Sequence, residues 1–150
     1  MIKLLNTFIF LFLCTFCFAQ KENALPFQKI WNGKNSEIYE ESLTTISSEK
    51  EYKTLWDKIK DPLKPTDPDK VDFEKEIVIA YFAGDQTNGT EVSKVEKVKN
   101  EILITITRFS ASRNCHDAAL LVTPYFLIKL QKCPECTVRY VSQVKIINCE

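Results

Sequence analysis

The sequence predicts an α+β fold that is mostly β: an antiparallel sandwich or roll of about six or seven strands, with one helix near residues 48–60. Three observations carry this expectation. From Val71 onward, short apolar or alternating segments recur between turn signals, as they do in all-β domains. Only the stretch around Tyr52–Ile59 sets its apolar residues at helical spacing. After residue 19 no apolar run approaches the roughly 20 residues that a membrane-spanning helix needs.

The 150-residue chain opens on Met1-Ile2-Lys3, followed by an apolar run from Leu4 to Ala19 broken only by Asn6-Thr7 and Thr15. A basic start, an apolar core and small residues at the exit are the parts of a secretory signal, with Cys17 and Ala19 before the cut and Gln20 after it. The run lies at the short limit for a retained anchor. Phe12-Leu13 before Cys14 and Thr15-Phe16 before Cys17 match lipoprotein processing poorly. The expectation is a signal peptide over 1–19 and a single secreted domain over 20–150, in the periplasm or outside the cell. Losing Lys3 from a chain with 20 basic and 20 acidic residues leaves 19 against 20, a net charge of −1. Such a balance gives no field to draw nucleic acid or an anionic membrane, and no insertion of the mature chain into a membrane is expected.

Residues 20–36 read as polar and irregular, anchored by Phe27, Ile30 and Trp31, with a turn at Trp31-Asn32-Gly33-Lys34-Asn35. A strand is expected within Glu37–Ile46. Ser48 then offers an N-cap and Glu51 completes a capping box. Tyr52, Leu55, Trp56 and Ile59 form one helical face, ended by Asp61-Pro62. Pro62, Pro65 and Pro68 stiffen a loop to about Lys70.

Ile77–Phe82 is continuously apolar, as in a strand covered on both faces. Gly84–Gly89 reads as a turn containing Asn-Gly. Val92–Val98 should return, with apolar residues three apart suggesting a bulge. After a turn at Lys99-Asn100, Ile102, Ile104 and Ile106 alternate with Leu103, Thr105 and Thr107 in a half-buried strand. A polar loop over Ser110–Asp117 carries Cys115 and His116. Strands are expected at Ala119–Val122 and Phe126–Leu130, around the corner Thr123-Pro124. A last strand sets Val138, Tyr140, Val144 and Ile146 on one face.

Of six cysteines, Cys115, Cys133, Cys136 and Cys149 survive cleavage. An even count in an exported chain implies two disulfides, each worth about 2–4 kcal/mol, with all three pairings open. Cys133-Pro134-Glu135-Cys136 also has redox spacing, but it lies between apolar strands without the βαβ context that activates such a pair, so a hairpin turn is expected. A metal site from Cys115, His116, Cys133 and Cys136 would join a CxxC to an awkward adjacent pair in an oxidising space. His116 is the chain's one histidine, and no nucleophile elbow, zinc-protease motif or phosphate-cradling loop occurs. Glu40-Glu41 and Glu74/Glu76 read as solvent-facing. Asn88-Gly89-Thr90 is a glycosylation tripeptide of weak specificity. No catalytic residue, cofactor or metal is expected.

Several landmarks follow one another in order: Trp31-Asn32-Gly33-Lys34-Asn35-Ser36, Leu55-Trp56, Val71-Asp72-Phe73, Ile77-Val78-Ile79-Ala80, Gly84, Thr87-Asn88-Gly89-Thr90, and Thr123-Pro124-Tyr125 leading into Phe126-Leu127-Ile128. Together they make the chain resemble the PrcB C-terminal-like domain family over about residues 31–130. That family is found in exported bacterial proteins and is named for a subunit that stabilises a surface protease complex. Asn88 and Thr90 stand where the family typically has glycine and tyrosine, so that tyrosine's contacts do not carry over. The cysteine-bearing tail from Cys133 onward is a second departure, particular to this branch of the family. The resemblance implies a non-catalytic accessory domain that binds or stabilises an exported protein, a protease among the candidates. Loops on a rigid β scaffold carry binding, which singles out Gly84, Thr87, Asn88, Gly89 and Thr90. The same landmarks are also turn and core residues of the kind that maintain a fold. Two alternatives remain: an exported thiol–disulfide oxidoreductase using Cys133 and Cys136, and a secreted protease inhibitor.

Overall fold

The computed structural model describes residues 23–84, 88–112 and 122–148. In chain order the elements are β1 (Phe27–Gly33), β2 (Ser42–Ile46), α1 (Glu49–Lys58), β3 (Glu76–Phe82), β4 (Gly89–Val98), β5 (Glu101–Ala111), β6 (Tyr125–Gln131) and β7 (Thr137–Ile147). They build three layers: a helix, a four-stranded sheet ordered β1-β6-β3-β2, and a three-stranded sheet ordered β4-β5-β7. Among the described residues the fold is therefore mostly β with one helix, as the sequence predicts.

The continuous apolar runs mark the central layer. On one face of β3 and β6, Ile77, Ile79, Tyr81, Phe126, Ile128 and Leu130 pack against Val95, Ile102, Ile104 and Ile106 of the second sheet. On the other face, Val78, Ala80, Phe82, Tyr125 and Leu127 meet Tyr52, Trp56 and Ile59 from the helical layer. A strand buried on both sides has no polar face to alternate, which is why these two read as unbroken apolar stretches. In α1, Ser48 Oγ accepts from the Glu51 amide at 3.3 Å while Glu51 Oε2 accepts from the Ser47 amide at 3.1 Å. These reciprocal bonds satisfy donors that a helix start otherwise leaves open. The proline-rich loop folds back, so that Trp56 Nε1 donates to the Pro65 and Thr66 carbonyls.

Three expectations about the strands need correction. Phe27–Gly33 is a strand, not irregular chain, with Phe27 opposite Leu130 and Gly33 opposite Tyr125. It is an edge strand whose Gln28, Lys29 and Asn32 leave no alternation to read, and a register shift near Ile30 breaks it further. The strand expected within Glu37–Ile46 is present as β2. β5 runs on through Ser110 to Ala111, where a loop was expected to begin. Finally, the sandwich is not wholly antiparallel, because β5 and β7 pair in parallel from Glu101 opposite Thr137 to Ala111 opposite Ile147. Between them the chain crosses to the other sheet to form β6, and a parallel neighbour needs such a crossover. The bulge expected in the returning strand is present between Val92 and Lys94. Most of the strand expected at Ala119–Val122 lies outside the described residues.

The two edges of the three-stranded sheet differ. Asn23–Leu25 lies along β4, with the Leu25 amide donating to Val95 at 2.8 Å and the Lys97 amide to Asn23 at 2.8 Å. Along the far edge of β7, no strand lies among the described residues.

Candidate functional site

The described flanks of the turn singled out by the sequence, residue 84 and residues 88–90, sit at one end of the sandwich and are held by three contacts. Gly84 is buried with φ +72°, and a Cβ there would lie 2.9 Å from the Tyr39 carbonyl and 3.3 Å from the Glu41 nitrogen. Only glycine adopts this backbone freely and lets segment 39–41 lie against it. The Asn88 amide donates to Phe109 at 2.9 Å, which seats the start of β4 on β5. Asn32 Nδ2 donates to the Thr90 carbonyl at 3.3 Å, tying in β1. Of the five candidate residues, Asn88 is exposed, Gly89 is half-buried, Gly84 and Thr90 are buried, and Thr87 lies outside the described residues. The Thr90 side chain, in a residue only 4 % exposed, has no hydrogen-bond partner for its hydroxyl among the described residues.

Beside Thr90, which pairs with Arg108 in the ladder, the two sheets are joined through Glu41. Tyr81 Oη donates to Glu41 Oε1 at 2.8 Å, Tyr140 Oη to the same oxygen at 3.4 Å, and Arg108 Nη1 to Oε2 at 3.0 Å. The Tyr81 ring stacks on Phe126 and tilts against Tyr140. Burial pushes the Tyr81 phenol well above its ordinary range, and the Glu41 carboxylate adds to that; burial first and then Glu41 raise Tyr140 as well. Both phenols therefore stay protonated as donors. Glu41 is an exposed residue, as the sequence suggested, but its carboxylate is engaged by these three partners and its side chain is 33 % exposed. Glu76 likewise pairs with Lys129 at 3.5 Å. Nothing local in the sequence marks Glu41, because its three partners lie 40, 67 and 99 positions away. A carboxylate with two phenols and a guanidinium on it is suited to clamping the sheets together.

The landmarks behind the family resemblance form a second buried network. A Cβ on Gly33 would fall 2.2 Å from Asp61 Oδ2 and 2.3 Å from the Tyr125 ring, so the backbone must pass there bare. Tyr125 Oη donates to Asp61 Oδ2 at 3.1 Å, and burial, then Asp61, raises that phenol. Ser36 Oγ donates to the Thr123 carbonyl at 2.9 Å, and Thr123 Oγ1 accepts from the Glu37 amide at 2.8 Å. Phe73 meets Tyr52 edge-on at 5.8 Å. These residues hold loops onto the core.

At the opposite end, Cys133 and Cys136 form a disulfide. Its turn is not a hairpin, since β6 and β7 belong to different sheets. Lys97 Nζ lies 3.3 Å from Cys133 Sγ and 3.2 Å from Glu135 Oε1. Its own backbone amide and then Lys97 hold the Glu135 carboxyl below the usual range. Cys133, Glu135 and Cys136 offer atoms within 4.8 Å of one another, but disulfide sulfurs present no thiolate to a metal. Cys115, His116 and Cys149 lie outside the described residues. No helix among the described residues is long and apolar enough to cross a membrane. No family model, curated protein or solved structure matches the chain.

Proposed function

We propose that the chain is an exported, non-catalytic accessory domain that binds or stabilises another exported protein, with a protease as the partner class the resemblance implies. The observation that supports this most is the end of the sandwich around Asn88, where an exposed polar residue stands on a base fixed by Gly84, Phe109 and Asn32. A surface held still before contact loses little entropy on binding. The test is capture of exported proteins from the same source on the immobilised chain, repeated with Asn88→Lys. Specific retention of one exported protein, weakened tenfold or more by the substitution, is expected. Equal retention by the variant removes the turn as the site, and retention of no exported protein removes the binding reading. If the captured partner is a protease, a stabiliser lengthens its active half-life, whereas an inhibitor lowers its turnover.

One observation favours a second reading, exchange at Cys133–Cys136. An attacking thiolate at Cys136 Sγ would release Cys133 as a thiolate beside the Lys97 ammonium, which stabilises that leaving group. A second external thiol then resolves the mixed disulfide, so two thiols are oxidised as the bridge is reduced. Lys97→Met should slow reduction by a dithiol several-fold. A bridge that resists mild reductant, or is reduced at the same rate in the variant, removes this reading.

A further inference from the structure

The edge of β7 away from β5, beside which no strand lies among the described residues, carries an arrangement that the accessory role does not use. Every residue of β7 except Val138 is exposed, and among them Val141 is 49 %, Val144 66 %, Ile146 65 % and Ile147 45 % exposed. Long, flat, apolar edges invite strand addition, and proteins ordinarily blunt them with inward charges, proline or a cover. β4 has such a cover in Asn23–Leu25 and is bulged. β7 is unbroken in register over its whole length and contains no proline.

The parallel ladder settles which backbone groups face outward. The Thr137 amide donates to Asn100, and the Ile147 carbonyl accepts from the Ser112 amide. With Thr137 opposite Glu101 and Ile147 opposite Ala111, the odd-numbered residues of β7 direct both their N–H and C=O groups toward β5. The even-numbered residues, Val138, Tyr140, Ser142, Val144 and Ile146, therefore direct theirs away from it. A strand added antiparallel must pair its own outward residues with these.

Self-pairing meets that condition, and the charges together with the exposed apolar residues narrow the register. β7 holds two cations, Arg139 and Lys145, and no acid. An axis at Ser142 sets Arg139 against Lys145, and an axis at Lys145 sets that residue against itself; like charges directly opposite are unfavourable. An axis at Gln143 sets Lys145 against Val141 and Arg139 against Ile147. An axis at Val141 also opposes no like charges but leaves the exposed Ile146 and Ile147 outside the contact; an axis at Val144 takes them in, setting Val144 against Val144, Val141 against Ile147, Ser142 against Ile146 and Lys145 against Gln143. We propose that β7 is a self-association edge, through which two copies of this chain pair antiparallel about a twofold axis at Val144 and fuse their three-stranded sheets into one of six strands. Each copy presents the same patch, as a closed twofold interface requires. A contact of about seven residues per strand is small, so the dimer belongs at the weak end, with Kd on the order of 10 µM.

The proposal is independent of the partner reading and is tested on the purified chain alone. Sedimentation from roughly 1 µM to 500 µM should show a monomer passing to a dimer. Over that range the amides of Ser142, Val144 and Ile146 should become slow to exchange, while those of Val141, Gln143 and Lys145 stay protected throughout. Val144→Lys and Val144→Glu, both at an exposed position, should each weaken the dimer at least tenfold and keep the monomer's circular dichroism. Mixing the two variants should restore association, because each residue meets its own counterpart at the axis. A chain that stays monomeric at all concentrations overturns the proposal, as does a dimer that both variants retain. Protection of the outward amides only on adding a different protein overturns it as well.

Discussion

β6 and β7 are consecutive strands, each with a majority of apolar residues, and they come to opposite ends of the burial scale. β6 lies between two neighbours in the middle sheet, with the helical layer on one face and the second sheet on the other. Among the described residues β7 has a neighbouring strand on one side only, and all its residues but Val138 are exposed. Their difference teaches that an apolar run predicts a strand, while depth depends on how many layers and neighbours the topology places around it. Residues of β6 should therefore govern stability, and residues of β7 should govern what the molecule touches.

The largest effect that sharpens this contrast is alkaline unfolding. Burial leads the upward shift of the phenols of Tyr52, Tyr81 and Tyr125. Their folded pKa values lie above the unfolded value of about 10, so stability should be level below about pH 10 and fall above it, by up to about 1.4 kcal/mol per pH unit for each phenol. Denaturant titrations at pH 9 and pH 11 measure the loss, and a flat profile would contradict the burial of these rings. Next, Ile128→Ala in β6 should cost about 3 kcal/mol by leaving a cavity between the sheets, read as a lower urea midpoint at unchanged slope. Tyr125→Phe should cost about 2 kcal/mol, because buried Asp61 loses its donor. Replacing Cys133 and Cys136 together by alanine should cost roughly 2 kcal/mol, the value for so short a loop. Smallest of all, Val144→Ala should change stability by less than about 0.5 kcal/mol. A larger value there would mean that β7 is buried in the monomer, and the contrast with β6 would fail.

Much of the architecture can be read in the residues themselves. The capping box at Ser48 and Glu51, the two-faced strands β3 and β6, the alternation of Ile102, Ile104 and Ile106 and the bulge near Ser93 are all local signals. β1 escapes notice because its edge position leaves polar residues in a strand. The parallel pairing of β5 with β7 escapes it because strand direction follows from where the chain goes in between. The site divides in the same way. Gly84 and the Asn-Gly turn announce a bend, yet the burial of Thr90 and the clamp at Glu41 arise from residues far apart in sequence. Lys97 beside Cys133 belongs with these, since the two meet across 36 positions.

The passage of the chain through β6 on its way from β5 to β7 bears on how the molecule assembles. β6 must cross to the other sheet, between β1 and β3, before β7 can return along β5. Neither sheet can be completed in isolation, and the late strands thread both layers into one cooperative unit. Such long-range order is slow to reach, on the order of milliseconds to seconds, and a polypeptide interrupted after Gln131 would leave the flank of β5 bare.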